Sequence, residues 1–95
     1  MYGLSEEIYN KIIDVVNKYS KYTFKIFGSR ARGDYKYNSD IDIAVDGDVN
    51  SEEEYKILND FDLIDMPYTI DVLFIKNISK EELKKSIEKE GVLLR

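Results

Sequence analysis

Residues 23–45 read TFKIFGSRARGDYKYNSDIDIAV, and their order decides the fold. Thr23–Phe27 is short, β-branched and aromatic, and it stops abruptly at Gly28, which predicts a strand running into a turn or a helix start. One helical turn beginning at Ser29 takes in Arg30 to Arg32. Gly33 to Ser39 is a polar loop rich in tyrosine and lysine, of a length that ordinary connections reach as readily as functional ones. Ile41, Ile43 and Val45 then alternate with Asp40, Asp42 and Ala44, so the next strand has one apolar face and one that opens with two carboxylates.

Upstream, Ser5 to Tyr19 is a helix with Ser5 as its cap and a stripe of Ile8, Ile12, Val15, Val16 and Tyr19 at helical spacing. Downstream of the Asp46-Gly47 turn signal, Ser51 with Glu54 fits a capping box. It opens a helix that runs to about Ile64, with Tyr55, Ile57, Leu58 and Phe61 as its apolar side. Pro67 ends that region. Thr69 to Ile75 is a third strand, with Ile70, Val72 and Phe74 on one face and Asp71, Leu73 and Ile75 on the other. Ser79 with Glu82 repeats the capping-box pattern, Leu83 and Ile87 give a last apolar stripe, and Gly91 is a stop. Val92 to Leu94 either adds an edge strand or docks on the core. The order helix, strand, strand, helix, strand, helix predicts an α+β domain of two layers, with helices on one face of a small mixed or antiparallel sheet.

Ninety-five residues fit a single domain spanning 1–95, too small to enclose a large cleft within its own walls. A formal charge of −5 repels polyphosphate backbones, so direct nucleic-acid binding is disfavoured. Cysteine and histidine are both absent, which excludes disulfides, thiolate zinc sites, cysteine nucleophiles and histidine bases. Carboxylate oxygen is what remains for metal chemistry, and it suits Mg2+ or Mn2+. No apolar run approaches the roughly 20 residues that span a bilayer, and the first residues lack a signal-peptide pattern. The expectation is a cytoplasmic protein without a membrane segment.

Asp40 and Asp42 point the same way, roughly 6.5 to 7 Å apart along the strand. If Asp71 opens a neighbouring strand at the same level, three carboxylates converge on the uncovered face. Without a cation they would repel and one would tend to hold a proton. Taken alone, such a pair is as readily a solvated acidic face. Gly28 and Ser29 sharpen the reading, because a glycine and a hydroxyl opening a helical turn leave donors for phosphate oxygens. Arg30 and Arg32 add charge there, for phosphate or for surface carboxylates. Ser39 either orients Asp40 or Asp42 or simply begins the strand. Tyr35, Lys36 and Tyr37 either touch a base or a partner, or form a solvated loop. Gly28 to Gly33 is not a P-loop, since no Gly-Lys-Ser/Thr ending is present. Tyr9, Tyr19 and Tyr55 lie near apolar stripes and are read as core residues.

The run Gly28-Ser29-Arg30-Ala31-Arg32-Gly33, followed by Ser39-Asp40-Ile41-Asp42-Ile43 and by Asp71 within Tyr68-Thr69-Ile70-Asp71-Val72-Leu73-Phe74, resembles the signature of the minimal nucleotidyltransferases, small members of the DNA polymerase beta-like superfamily. The resemblance extends over nearly the whole chain. It implies a polymerase beta palm-like fold, with Gly28 and Ser29 binding the β and γ phosphates, Asp40 and Asp42 holding Mg2+ or Mn2+, and Asp71 completing the site beside the incoming hydroxyl. It implies transfer of AMP from ATP to a hydroxyl with release of pyrophosphate. It further implies a partner, an RNA-cutting HEPN toxin encoded by the adjacent gene, modified on a tyrosine by this chain as antitoxin within a hetero-oligomer. A small-molecule transferase, a binding module that blocks its partner by contact, and a nucleic-acid nucleotidyltransferase are the rival expectations.

Overall fold

Alternating β-branched and aromatic residues place the strands in the computed structural model, which describes residues 1–95. The elements are α1 (Glu6–Lys18), β1 (Thr23–Phe27), α2 (Ser29–Arg32), β2 (Ile41–Asp46), α3 (Ser51–Asp62), β3 (Ile70–Phe74), a 3-10 turn (Ile75–Asn77), α4 (Glu81–Glu90) and β4 (Val92–Leu93). They build a mixed sheet in the order β3-β2-β1-β4. β1 runs antiparallel to β2, with Ile26 opposite Ile43 and Phe27 opposite Asp42. β3 is parallel to β2, with Asp42 opposite Asp71. Val92–Leu93 pairs with β1, and Leu94 also docks, buried and donating its N–H to the Phe24 carbonyl at 2.9 Å. No helix is long and apolar enough to cross a membrane.

The side chains on one face of the strands, Phe24, Ile26, Ile41, Ile43 and Val45, pack with Ile12 and Val16 of α1 and Ile57 and Phe61 of α3 into the main core. Ser5 caps α1 as its position predicts, its hydroxyl accepting the Ile8 N–H at 3.2 Å. The other face carries Lys25, Phe27, Asp42, Ala44, Asp71 and Leu73 by register. It is only half bare. The connections β2-α3-β3 and β3-α4-β4 join parallel strands but cross the sheet in opposite directions. Right-handed crossovers therefore put α3 and α4 on opposite faces. Ala44 and Ile87 are accordingly both fully buried yet stand outside the main core. What stays open is the end of that face where Asp42 and Asp71 lie.

Three local expectations are corrected. The cap of α3 is Asn50, whose side chain accepts the Glu53 N–H at 2.9 Å, and Ser51 is the first helical residue. Glu54 instead meets Lys76 and Asn77. Tyr55 and Leu58 are exposed, because at 100° per residue the pair Ile57 and Phe61 faces the sheet and Tyr55 lies on the opposite side. Helix α4 starts at Glu81 after Lys80, with no side-chain cap, so Ser79 closes no box.

Candidate active site

Register alone brings the carboxylates together. Asp42 and Asp71 share one rung of the parallel β2–β3 ladder, where neighbouring strands lie about 4.8 Å apart. Asp40, just before β2 begins, lies close enough for its charge to act on Asp42. Asp42 is half-buried, whereas Asp40 and Asp71 are exposed. Burial first, and then the nearby charges of Asp71 and Asp40, push the Asp42 carboxyl above its ordinary value, with Arg32 opposing them. The set is therefore a cluster of like charges whose mutual repulsion a cation would relieve. Its donors are all carboxylate oxygens, which fit a hard divalent ion such as Mg2+ or Mn2+. As placed, no three acidic side chains stand together at ligand spacing; the exposed Asp40 and Asp71 have the rotamer freedom to close in on Asp42.

Gly28 lies directly against this cluster. Its backbone sits at φ 74° and ψ −156°, a region reserved for glycine. A Cβ at this position would strike the Asp42 carboxylate. Sequence puts a glycine there for two separate reasons, backbone conformation and close approach. Ser29, half-buried, then opens α2, and the turn is closed by Arg32 N–H to the Gly28 carbonyl at 3.0 Å and Gly33 N–H to the Ser29 carbonyl at 2.9 Å. The Gly28 backbone thus borders Asp42, with the Ser29 hydroxyl on the next residue, an arrangement able to receive phosphate oxygens.

The two arginines part company, and the expectation for Arg30 is corrected. Arg30 is only 2% exposed. Its guanidinium donates to the Ser39 carbonyl at 2.8 and 3.1 Å, to the Tyr2 carbonyl at 2.9 Å and to the Tyr37 carbonyl at 3.5 Å. It stacks over Tyr68 at 4.6 Å and Tyr35 at 5.3 Å from the ring centres. With its donors spent on carbonyls, Arg30 fastens the loop that delivers Asp40 instead of reaching a phosphate. The Ser39 hydroxyl accepts the Lys36 N–H at 2.8 Å, which closes the loop. Arg32 stays at the surface, paired with Glu90 at 2.9 Å and Asp34 at 3.2 Å, and close enough to act on Asp42. Sequence reasoning missed Arg30 as a tether; the one signal was an arginine with several tyrosines and no adjacent acid.

The family model described as polymerase beta, nucleotidyltransferase matches residues 10–95. Among solved structures, a chain from a crystal structure of a toxin-antitoxin with AMP-PNP superposes with a TM-score of 0.66 at 23% identity, over 92% of this chain and 72% of that one. A candidate nucleotidyltransferase from Sulfolobus solfataricus superposes with a TM-score of 0.52 at 26% identity, over 92% of this chain and 78% of that one. No curated protein matches the chain.

Proposed function

We propose, from the premise that this chain belongs to the polymerase beta nucleotidyltransferase family, that it transfers AMP from ATP to a tyrosine hydroxyl of a HEPN-type toxin and acts as that toxin's antitoxin. The observation that carries the reading is the shared rung of Asp42 and Asp71 beside Gly28. Asp40 and Asp42, with Asp71, would hold Mg2+ or Mn2+, which when bound neutralises charge on the triphosphate and on the attacking oxygen. Gly28 and Ser29 seat the β and γ phosphates through backbone N–H and hydroxyl donors. Arg32, on the same side, adds positive charge. Asp71, exposed at the sheet edge, holds the acceptor hydroxyl and takes its proton. The acceptor oxygen bonds to the α phosphorus, the bond to the bridging oxygen breaks in line, and pyrophosphate leaves. Support for an adenine nucleotide and a toxin partner comes from the neighbour crystallised as a toxin-antitoxin with AMP-PNP.

The test is incubation with α-labelled ATP, Mg2+ and the protein encoded beside this gene. Label on a partner tyrosine with the wild-type chain, and none with Asp42→Asn, is the expected result. Equal labelling by the variant would contradict the proposal.

A further inference from the structure

Away from the carboxylates, the outer side of α3 and the edge of β3 form a second surface. β3 ends the sheet, so one side of its backbone has no strand partner. Two grooves adjoin along this edge. One, of about 310 Å³, is lined by Tyr55, Leu58, Ile70 and Val72; the next, of about 260 Å³, by Phe61, Ile64, Met66 and Tyr68. Asp62 and Ile70 belong to both. Around them Tyr55 is 78%, Leu63 74% and Leu58 44% exposed. Apolar groups gathered in this way mark a contact surface. Natural sheets usually guard a free edge with lysine or proline, and Ile70–Phe74 contains neither.

Charge says what fits. Residues 55–75 hold Asp60, Asp62 and Asp65, with Asp71 turned to the other face, against one basic residue, Lys56, which is paired with Glu52 at 3.5 Å. Asp60 is met by Lys18 at 3.0 Å, while Asp62, which lines both grooves, and Asp65 are exposed. A second copy of this chain would set the same acidic residues against themselves, which like-charge repulsion opposes. We propose that the α3–β3 face docks a partner protein by strand addition, receiving a β-strand whose inward side chains are apolar and whose flanking residues are lysine or arginine. Backbone hydrogen bonds to the free edge supply affinity, and the two grooves supply side-chain selection. The surface stands independently of any catalysis at the carboxylates, although Asp71 lies on the same strand and a docked partner would border it.

The test uses the full 15N-labelled chain and two short synthetic peptides that alternate Val or Ile with Lys in one case and with Glu in the other. The expected result is amide shifts confined to residues 55–75, with the lysine peptide binding at least tenfold more tightly. Leu58→Lys with Leu63→Lys should weaken that binding at least tenfold while leaving the Thr23–Asp46 amides unmoved. Equal affinity for both peptides, no shifts at all, or shifts centred on Asp40 and Asp42 would overturn the proposal. So would a dimer in sedimentation that the double variant abolishes.

Discussion

Gly28 joins two constraints in one residue, a positive φ and contact with the Asp42 carboxylate. Gly28→Ala is expected to cost about 2 kcal/mol from the backbone region alone and to displace Asp42; urea titration and nucleotide binding should fall together. Asp42→Asn should separate them. It removes one charge from a repelling set, so the cation-free variant should unfold at a temperature no lower than wild type, while transfer drops at least about a thousandfold, or about 4 kcal/mol. Arg30→Lys keeps the charge but loses the planar fork and its stacking. Leaving carbonyls of Ser39 and Tyr2 unpaired should cost about 2 kcal/mol or more, read by thermal unfolding. At this scale the acidic residues and Gly28 were legible because strand period and motif spacing are local. The role of Arg30 was not, since Tyr2, Tyr35 and Tyr68 meet it only after folding.

Two tyrosine–carboxylate bonds fasten the C-terminal end of α1 and the chain after it to α3. Tyr19 donates its hydroxyl to Asp60 at 2.5 Å, and Tyr22 donates to Glu53 at 2.5 Å. Burial, then the bond to Asp60, pushes the Tyr19 phenol up to about 12. The same bond, with Lys18 assisting, holds Asp60 below its ordinary value. A depressed carboxylate contributes stability above its unfolded value, and that stability is lost as pH falls through the folded value. Tyr19→Phe should therefore destabilise by about 1 to 2 kcal/mol at neutral pH, and the difference should shrink on acidification below the carboxylate range, measured by urea titration at both pH values. The phenol's raised value acts at the other end, where stability declines as pH climbs past about 10. The strands were legible nearly to the residue, because alternation and flanking Gly or Pro bound them. The starts of α3 and α4 were not: Asn50 outcompetes Ser51 as a cap, and Lys80 precedes α4 without any cap. α4 settles on the face expected to be bare, a consequence of crossover handedness that no local pattern carries.

The whole molecule separates two acidic regions by the way β3 is placed. Its one strand presents Asp71 toward Asp42 on one face and Ile70 and Val72 to the grooves beside α3 on the other. A chain with net charge −5 sets Asp42 and Asp71 on one rung at one end of its sheet, a charge distribution that attracts divalent cations and repels bare polyanions. Mg2+ should raise the unfolding temperature by binding the native state alone, and Asp42→Asn should remove most of that rise. The most direct measurement is the 15N–1H spectrum of the chain titrated with Mn2+ and ATP, since the paramagnetic ion erases signals only near where it sits. Loss strongest at the amides of Gly28–Ser29, Asp40–Asp42 and Ile70–Val72, and abolished by Asp42→Asn, is what a carboxylate-held metal and nucleotide require. Loss centred instead on Glu52, Glu53 and Asp60, or unchanged by Asp42→Asn, would contradict it.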